Sequence, residues 1–276
     1  GHRPPAPGPG AGRHRGRAPA RRCRAGRRAC SSAAETELVA AYGGLQGLGR
    51  ARAALDLGNL AALQGSTGEA GRYYEEALRL AGGDVQTAMA ARLNLARVAG
   101  PDARLQALQA LATELARLPE GPAKARWQVN LGQQARGIGD SGLALAHAQL
   151  DAARRWAQQA PAGDAARTRL GAEALDGLAQ LYEDRGRTAE AQRLNDQALG
   201  LAQQLPPAGA GDLPILLHWR QARLAQAQQR PAAALAAWRQ AVRGIEALRQ
   251  DLPIDDDSGA SSFRALLEPV YLGLLD

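Results

Sequence analysis

The stretch that most restricts the fold is Leu57–Leu80, LGNLAALQGSTGEAGRYYEEALRL. It holds two helical patterns joined by Gly65, Ser66, Thr67 and Gly68, a run of turn-forming residues. Leu57, Leu60, Ala61 and Gln64 share one face of the first pattern. In the second, Ala70, Tyr74, Ala77 and Leu78 recur at i, i+4, i+7 and i+8, the stripe of a half-buried helix. Small residues at Gly58, Ala70 and Ala77 let two antiparallel helices approach closely, and Tyr74 fills the remaining gap. A single hairpin of this kind leaves its faces bare, so the pattern requires further copies.

The copies are present with uneven fidelity. Leu131-Gly132 with Gly139 repeats the first half, followed by Ala144 and Ala148 where small residues are wanted. Leu178, Tyr182, Gly186, Ala191 and Ala198 repeat the whole unit, with Asn195 at the aromatic position. Ala234, Trp238 and Ala241 repeat the second half after an Ala-rich helix over Leu216–Gln228. Asn94-Leu95 leads a degenerate copy that trails through Leu105–Leu118. Together, Leu-Gly, then a turn glycine, then Ala-Tyr-Ala at helical spacing resemble a tetratricopeptide repeat. The resemblance implies an all-α fold, a right-handed α-α superhelix of about five helix-turn-helix repeats. The leading leucines Leu57, Leu95, Leu131 and Leu178 lie 38, 36 and 47 residues apart. These spacings exceed the usual ~34, which predicts longer helices or insertions such as Ala160-Pro161-Ala162-Gly163. A preceding helix is expected over 33–49, capped by Ser31-Ser32 and ended or kinked by Gly43-Gly44. The solenoid is assigned to 31–252.

Charge divides the chain in two. The net charge is +7, yet nine arginines and no acid lie within residues 1–30, leaving 25 basic against 27 acidic residues beyond them. That segment of Gly, Pro, Ala and Arg has too little apolar surface to offset its conformational entropy, and it reads as a disordered basic tail. An Arg cluster suits phosphates, so the alternative function is a nucleic-acid-binding adaptor acting through the tail. The tail lacks the apolar core of a secretory signal, although Ala29-Cys30-Ser31-Ser32 would suit the end of a lipoprotein signal. Cytoplasmic is the default compartment, with secretion or the periplasm open to a chain carrying a signal. No run of 18 apolar residues exists, so no transmembrane segment is expected. Cys23 and Cys30 match no common zinc spacing, and neither a metal nor a cofactor is assigned.

Catalysis finds no foothold in the body. His147 and His218 are its only histidines, no cysteine accompanies them, and no phosphate-binding glycine loop or HExxH pattern is present. The chain therefore reads as a non-enzyme. Binding is the better fit, because in stacked repeats the first helices line a concave groove that takes a protein or peptide. The groove positions hold Arg52, Asn59, Arg97, Arg126, Gln133 and Arg136 in the first half, and Glu173, Asp176, Gln180 and Glu183 in the second. A groove basic at one end and acidic at the other would orient a charged peptide. Asn59, Asn94 and Asn130 with Arg126 partly resemble the clamp by which some tetratricopeptide domains hold a terminal carboxylate, although Leu55 stands where a lysine would be wanted.

The C-terminal text carries a second resemblance. Trp219, Arg223, Ala234-Leu235 and Trp238–Val242 are followed by Arg249–Leu252, Ser262-Phe263-Arg264 and Glu268–Tyr271. This order is similar to the last repeat and connector of bacterial tetratricopeptide proteins that precede a CHAT domain, a caspase-like cysteine peptidase module. It implies a scaffold or regulatory arm, with Arg223 among its partner-facing residues and a caspase-like domain as its partner in cis. The peptidase's catalytic His and Cys find no counterpart, so that activity is not carried over. One helix is expected from Pro231 to Asp251, ended by Leu252-Pro253. Residues 253–276 then read as a loop and a terminal helix leading towards such a module.

Overall fold

The computed structural model describes residues 36–159 and 163–251. The basic tail, Ala160–Ala162 of the expected insertion and the expected terminal helix lie outside the described residues. Within them the chain is helical throughout and has no strand. A short helix α1 (36–44) precedes α2 (Gly47–Leu63), α3 (Thr67–Leu80), α4 (Val85–Val98), α5 (Pro101–Ala116) and α6 (Pro122–Arg136). A 3-10 turn at Asp140–Gly142 leads into α7 (Leu143–Gln158). Then come α8 (Ala165–Glu183), α9 (Thr188–Ala202), the one-turn α10 (Pro207–Ala210), α11 (Leu213–Ala227) and α12 (Pro231–Asp251).

Local chemistry sets several of these limits. Pro101 and Pro122 occupy the first helical turn, where a missing N–H costs nothing. Asp84 accepts the Thr87 backbone N–H at 2.9 Å and Asp164 that of Arg167 at 3.0 Å, each satisfying a free donor at a helix start. Gly65 and Gly186 close the tight hairpin turns at φ +81° and +68°, a region that side-chain-bearing residues avoid.

The helices pair as α2/α3, α4/α5, α6/α7, α8/α9 and α11/α12, and each pair packs on the next. First helices also touch first helices along α2, α4, α6, α8 and α11, forming an inner row; the second helices form no comparable row. This is an α-α superhelix. Its first-helix neighbours run parallel, since Arg126 in the first half of α6 meets Glu173 at the middle of α8, and Arg136 at the end of α6 meets Asp184 just past the end of α8.

Packing follows the small-and-large logic of the sequence. Tyr74 is fully buried against Gly58, where a Cβ would come within 2.4 Å of its ring. Leu150 plays the same part twice, wedged between Gly132 of α6 and Gly177 of α8, with Cβ approaches of 2.6 and 2.7 Å. One apolar cluster then runs without a break from Met89 through Leu115, Leu150 and Trp156 to Leu181. One register differs from expectation: Ala144 and Ala148 are exposed, and Ala146 and Ala153 are the buried small residues of α7. The 3-10 turn inserts two extra residues after Gly139 relative to the other hairpins and shifts the whole stripe.

Candidate functional site

The inner row repeats one position along its length. Asn59, Arg97, Gln133, Gln180 and Arg223 each follow a buried small residue: Gly58, Ala96, Gly132, Ala179 and Ala222. The small residue receives the second helix, which turns its successor towards the inner surface. Chemistry at this position differs sharply from one end to the other.

At the N-terminal end a single carbonyl oxygen collects three donors. Asn59 Oδ1 accepts from Tyr74 Oη at 3.1 Å, Asn94 Nδ2 at 3.1 Å and Arg97 Nη2 at 3.3 Å. Arg97 also donates to Tyr74 Oη at 3.0 Å. The oxygen is thereby saturated, while among the described residues the Asn59 amide and most of the Arg97 guanidinium N–H groups find no acceptor. Among the described residues Arg97 has no carboxylate partner, and it is exposed. Arg52 and Gln133 are likewise exposed. Arg52 lies near the start of α4, where it helps hold the Asp84 carboxyl below its ordinary range. The main causes of that lowering are the hydrogen bonds from the Thr87 hydroxyl and backbone N–H.

Towards the C-terminal end the charged side chains of α8 and α11 face opposite charges within the protein. Asp176, Gln180 and Glu183 fall at i, i+4 and i+7 on one face of α8. Arg220 of α11, 5% exposed, inserts into that face. It donates Nε to Glu183 at 3.2 Å, Nη2 to Gln180 at 2.8 Å, and Nη1 to Asp176. Arg223 grips the same Glu183 with two N–H groups at 2.9 and 2.8 Å and lies over the Trp219 ring, 4.6 Å from its centroid. Between the ends, Arg126 pairs with Glu173 at 3.5 Å and Arg136 with Asp184 at 2.6 Å. Gln180 bridges Arg220 and Asp184, its Nε2 donating to the latter at 2.8 Å.

These pairings correct the expected charge gradient. The acids of α8 are neutralised by Arg126, Arg169, Arg220 and Arg223. Because first helices lie parallel and adjacent, opposite charges in neighbouring repeats face one another. Of the anticipated residues, Asn59 and Arg97 come together, and Arg52 and Gln133 stay open. Arg126, Arg136, Gln180 and Arg223 are engaged internally. Sequence reasoning missed Arg220, whose partners lie 37 to 44 residues away.

The histidines occupy separate places. His147 sits edge-on to Tyr182, with ring centroids 6.3 Å apart. His218 bonds Gln221 at 3.2 Å, and burial pushes its imidazole below the ordinary range. Among the described residues no cluster of three or more His, Cys, Asp or Glu is placed to hold a metal ion, and no helix is long and apolar enough to cross a membrane.

No protein-family model matches the chain, and no curated protein matches it in sequence. A solved structure, BtubC (BKLC) from P. vanneervenii, is similar to it in fold, with a TM-score of 0.55 and 20% identity over 84% of this chain and 95% of that one. A likeness at this identity bears on the helical architecture alone.

Proposed function

We propose that the chain is a non-catalytic binding scaffold of the tetratricopeptide type, taking an extended acidic peptide on its inner row. The observation that carries this reading is the unequal use of one repeat position. Around Asn59, Asn94 and Arg97 the acceptor is saturated and donors remain, so the complementary ligand group is an acceptor, best an anionic one. Gln133, next along the row, offers an amide suited to a peptide backbone. The self-paired stretch from α8 to α11 supports the chain geometry and contributes little to ligand charge. In a longer protein of the kind its C-terminal text resembles, this arm would relay peptide binding to a caspase-like module.

The test is fluorescence anisotropy with a labelled Glu/Asp-rich peptide and its Gln/Asn counterpart. The acidic peptide should bind more tightly, and Arg97→Ala should weaken it about tenfold, the loss of one charge-assisted hydrogen bond. Equal binding of the two peptides, or no effect at Arg97, would overturn the reading.

A further inference from the structure

Successive repeats are joined in two different ways. Between the third and fourth pairs the buried contact is apolar, with Leu150 seated between Gly132 and Gly177 inside the continuous cluster that reaches Leu181, and the Arg126–Glu173 and Arg136–Asp184 ion pairs lie at its more exposed edge. Between the fourth and fifth pairs the chain inserts Leu205–Asp212, including α10, and that cluster stops. Leu213 and Leu217, in the first half of α11, still pack on Leu175 and Leu199. Beyond them the contact between α8 and α11 is polar: the donors are Arg220 and Arg223, and the acceptors are Asp176, Gln180 and Glu183.

We propose that the fifth repeat opens as a separate unit, hinged at the start of α11 and latched to the fourth through Arg220. The network behaves as a latch because it is all-or-none. Removing one partner leaves another charge buried and unpaired, so partial opening is penalised more than either end state. An apolar seam such as that around Leu150 has no such discreteness. A second, independent feature weakens the closed state. Asn195, fully buried, donates Nδ2 to the Leu217 carbonyl at 3.1 Å, but its Oδ1 is buried with no hydrogen-bond partner among the described residues. A buried orphan acceptor favours the state in which water reaches it. The joint thus combines a directional lock with a built-in cost of closure. Opening would swing α11, with α12 on it, away from α8 and separate Arg223 from Glu183.

Hydrogen–deuterium exchange on the full chain tests this. In the wild type, the amides of α11 and α12 should exchange together and faster than those of α6 to α8. Arg220→Met should accelerate α11 and α12 by about tenfold or more, while α6 and α7 keep wild-type rates. If that variant does not fold, Asp176→Asn and Arg220→Lys decide the matter, since each keeps part of the network. Both should accelerate the same two helices to a smaller degree, Lys because one ammonium cannot span three acceptors. Uniform acceleration across the chain, or unchanged rates in α11 and α12, would overturn the latch.

Discussion

The two ends of the inner row present one repeat position in opposite conditions. At Asn59 and Arg97 the second helix supplies a tyrosine, whose hydroxyl joins the polar cluster and leaves donors free. At Gln180 and Glu183 of α8 the neighbouring first helix supplies Arg220 and Arg223, which between them engage the acceptors of that face. A repeat therefore fixes where a side chain points but not whether it is available. Availability depends on what the adjacent repeat places opposite. A buried, fully paired network is a weak source of net stability and a strong source of specific geometry, whereas a half-satisfied exposed cluster is suited to a ligand.

The largest expected contrast is in stability. Tyr74→Ala would leave a void facing Gly58 and should cost about 3–5 kcal/mol. Asn195→Ala, at the equivalent place in the fourth repeat, removes one hydrogen bond together with its orphan oxygen and should cost about 1 kcal/mol. Urea unfolding measures both, and a larger loss at Asn195 would reverse the assignment of structural weight. Next comes binding. Arg97→Ala should weaken an acidic peptide about tenfold, whereas the pair Arg126→Ala and Arg136→Ala should change it by about twofold or less, because those arginines already face Glu173 and Asp184. Equal losses would mean that overall charge, not the Asn59 cluster, attracts the ligand. Smallest is a pH effect confined to the paired end. Burial, opposed by the Gln221 hydrogen bond and aided by Arg243, lowers the His218 pKa below 6.5. The folded chain then binds this proton less readily than the unfolded one. The contribution of His218 is complete above that value and declines as pH falls through it. Stability should fall slightly from about pH 7 to about pH 5.5, and His218→Gln should flatten the slope; an unchanged slope would place its origin elsewhere.

Much of the fold was legible because its signals are local. Gly58 with Tyr74, and Ala234 with Trp238 and Ala241, carry their packing in spacing alone, and the predicted helix from Pro231 to Asp251 matches α12. The seven-residue step from Gly139 to Ala146 was not legible, since a 3-10 turn leaves no apolar periodicity to count. The site divided along the same line. Asn59 and Arg97 lie at positions that a repeat alignment points inward, so both were anticipated. Arg220 looked like any other arginine on a helix, because its burial depends on α8 lying parallel to α11 across the inserted Leu205–Asp212. Pairing between repeats is a tertiary fact, and one chain's periodicity does not encode it.

The claim most in need of a direct test is that ligand is taken at the N-terminal end of the inner row. A Glu/Asp-rich peptide carrying a nitroxide label, titrated into isotope-labelled protein, would broaden backbone amide signals near its bound position. The account predicts broadening centred on Asn59, Arg97 and Gln133, with the amides around Gln180 and Arg223 left sharp. Broadening centred on α8 and α11 instead, or spread evenly over the arginines of the second helices, would contradict it.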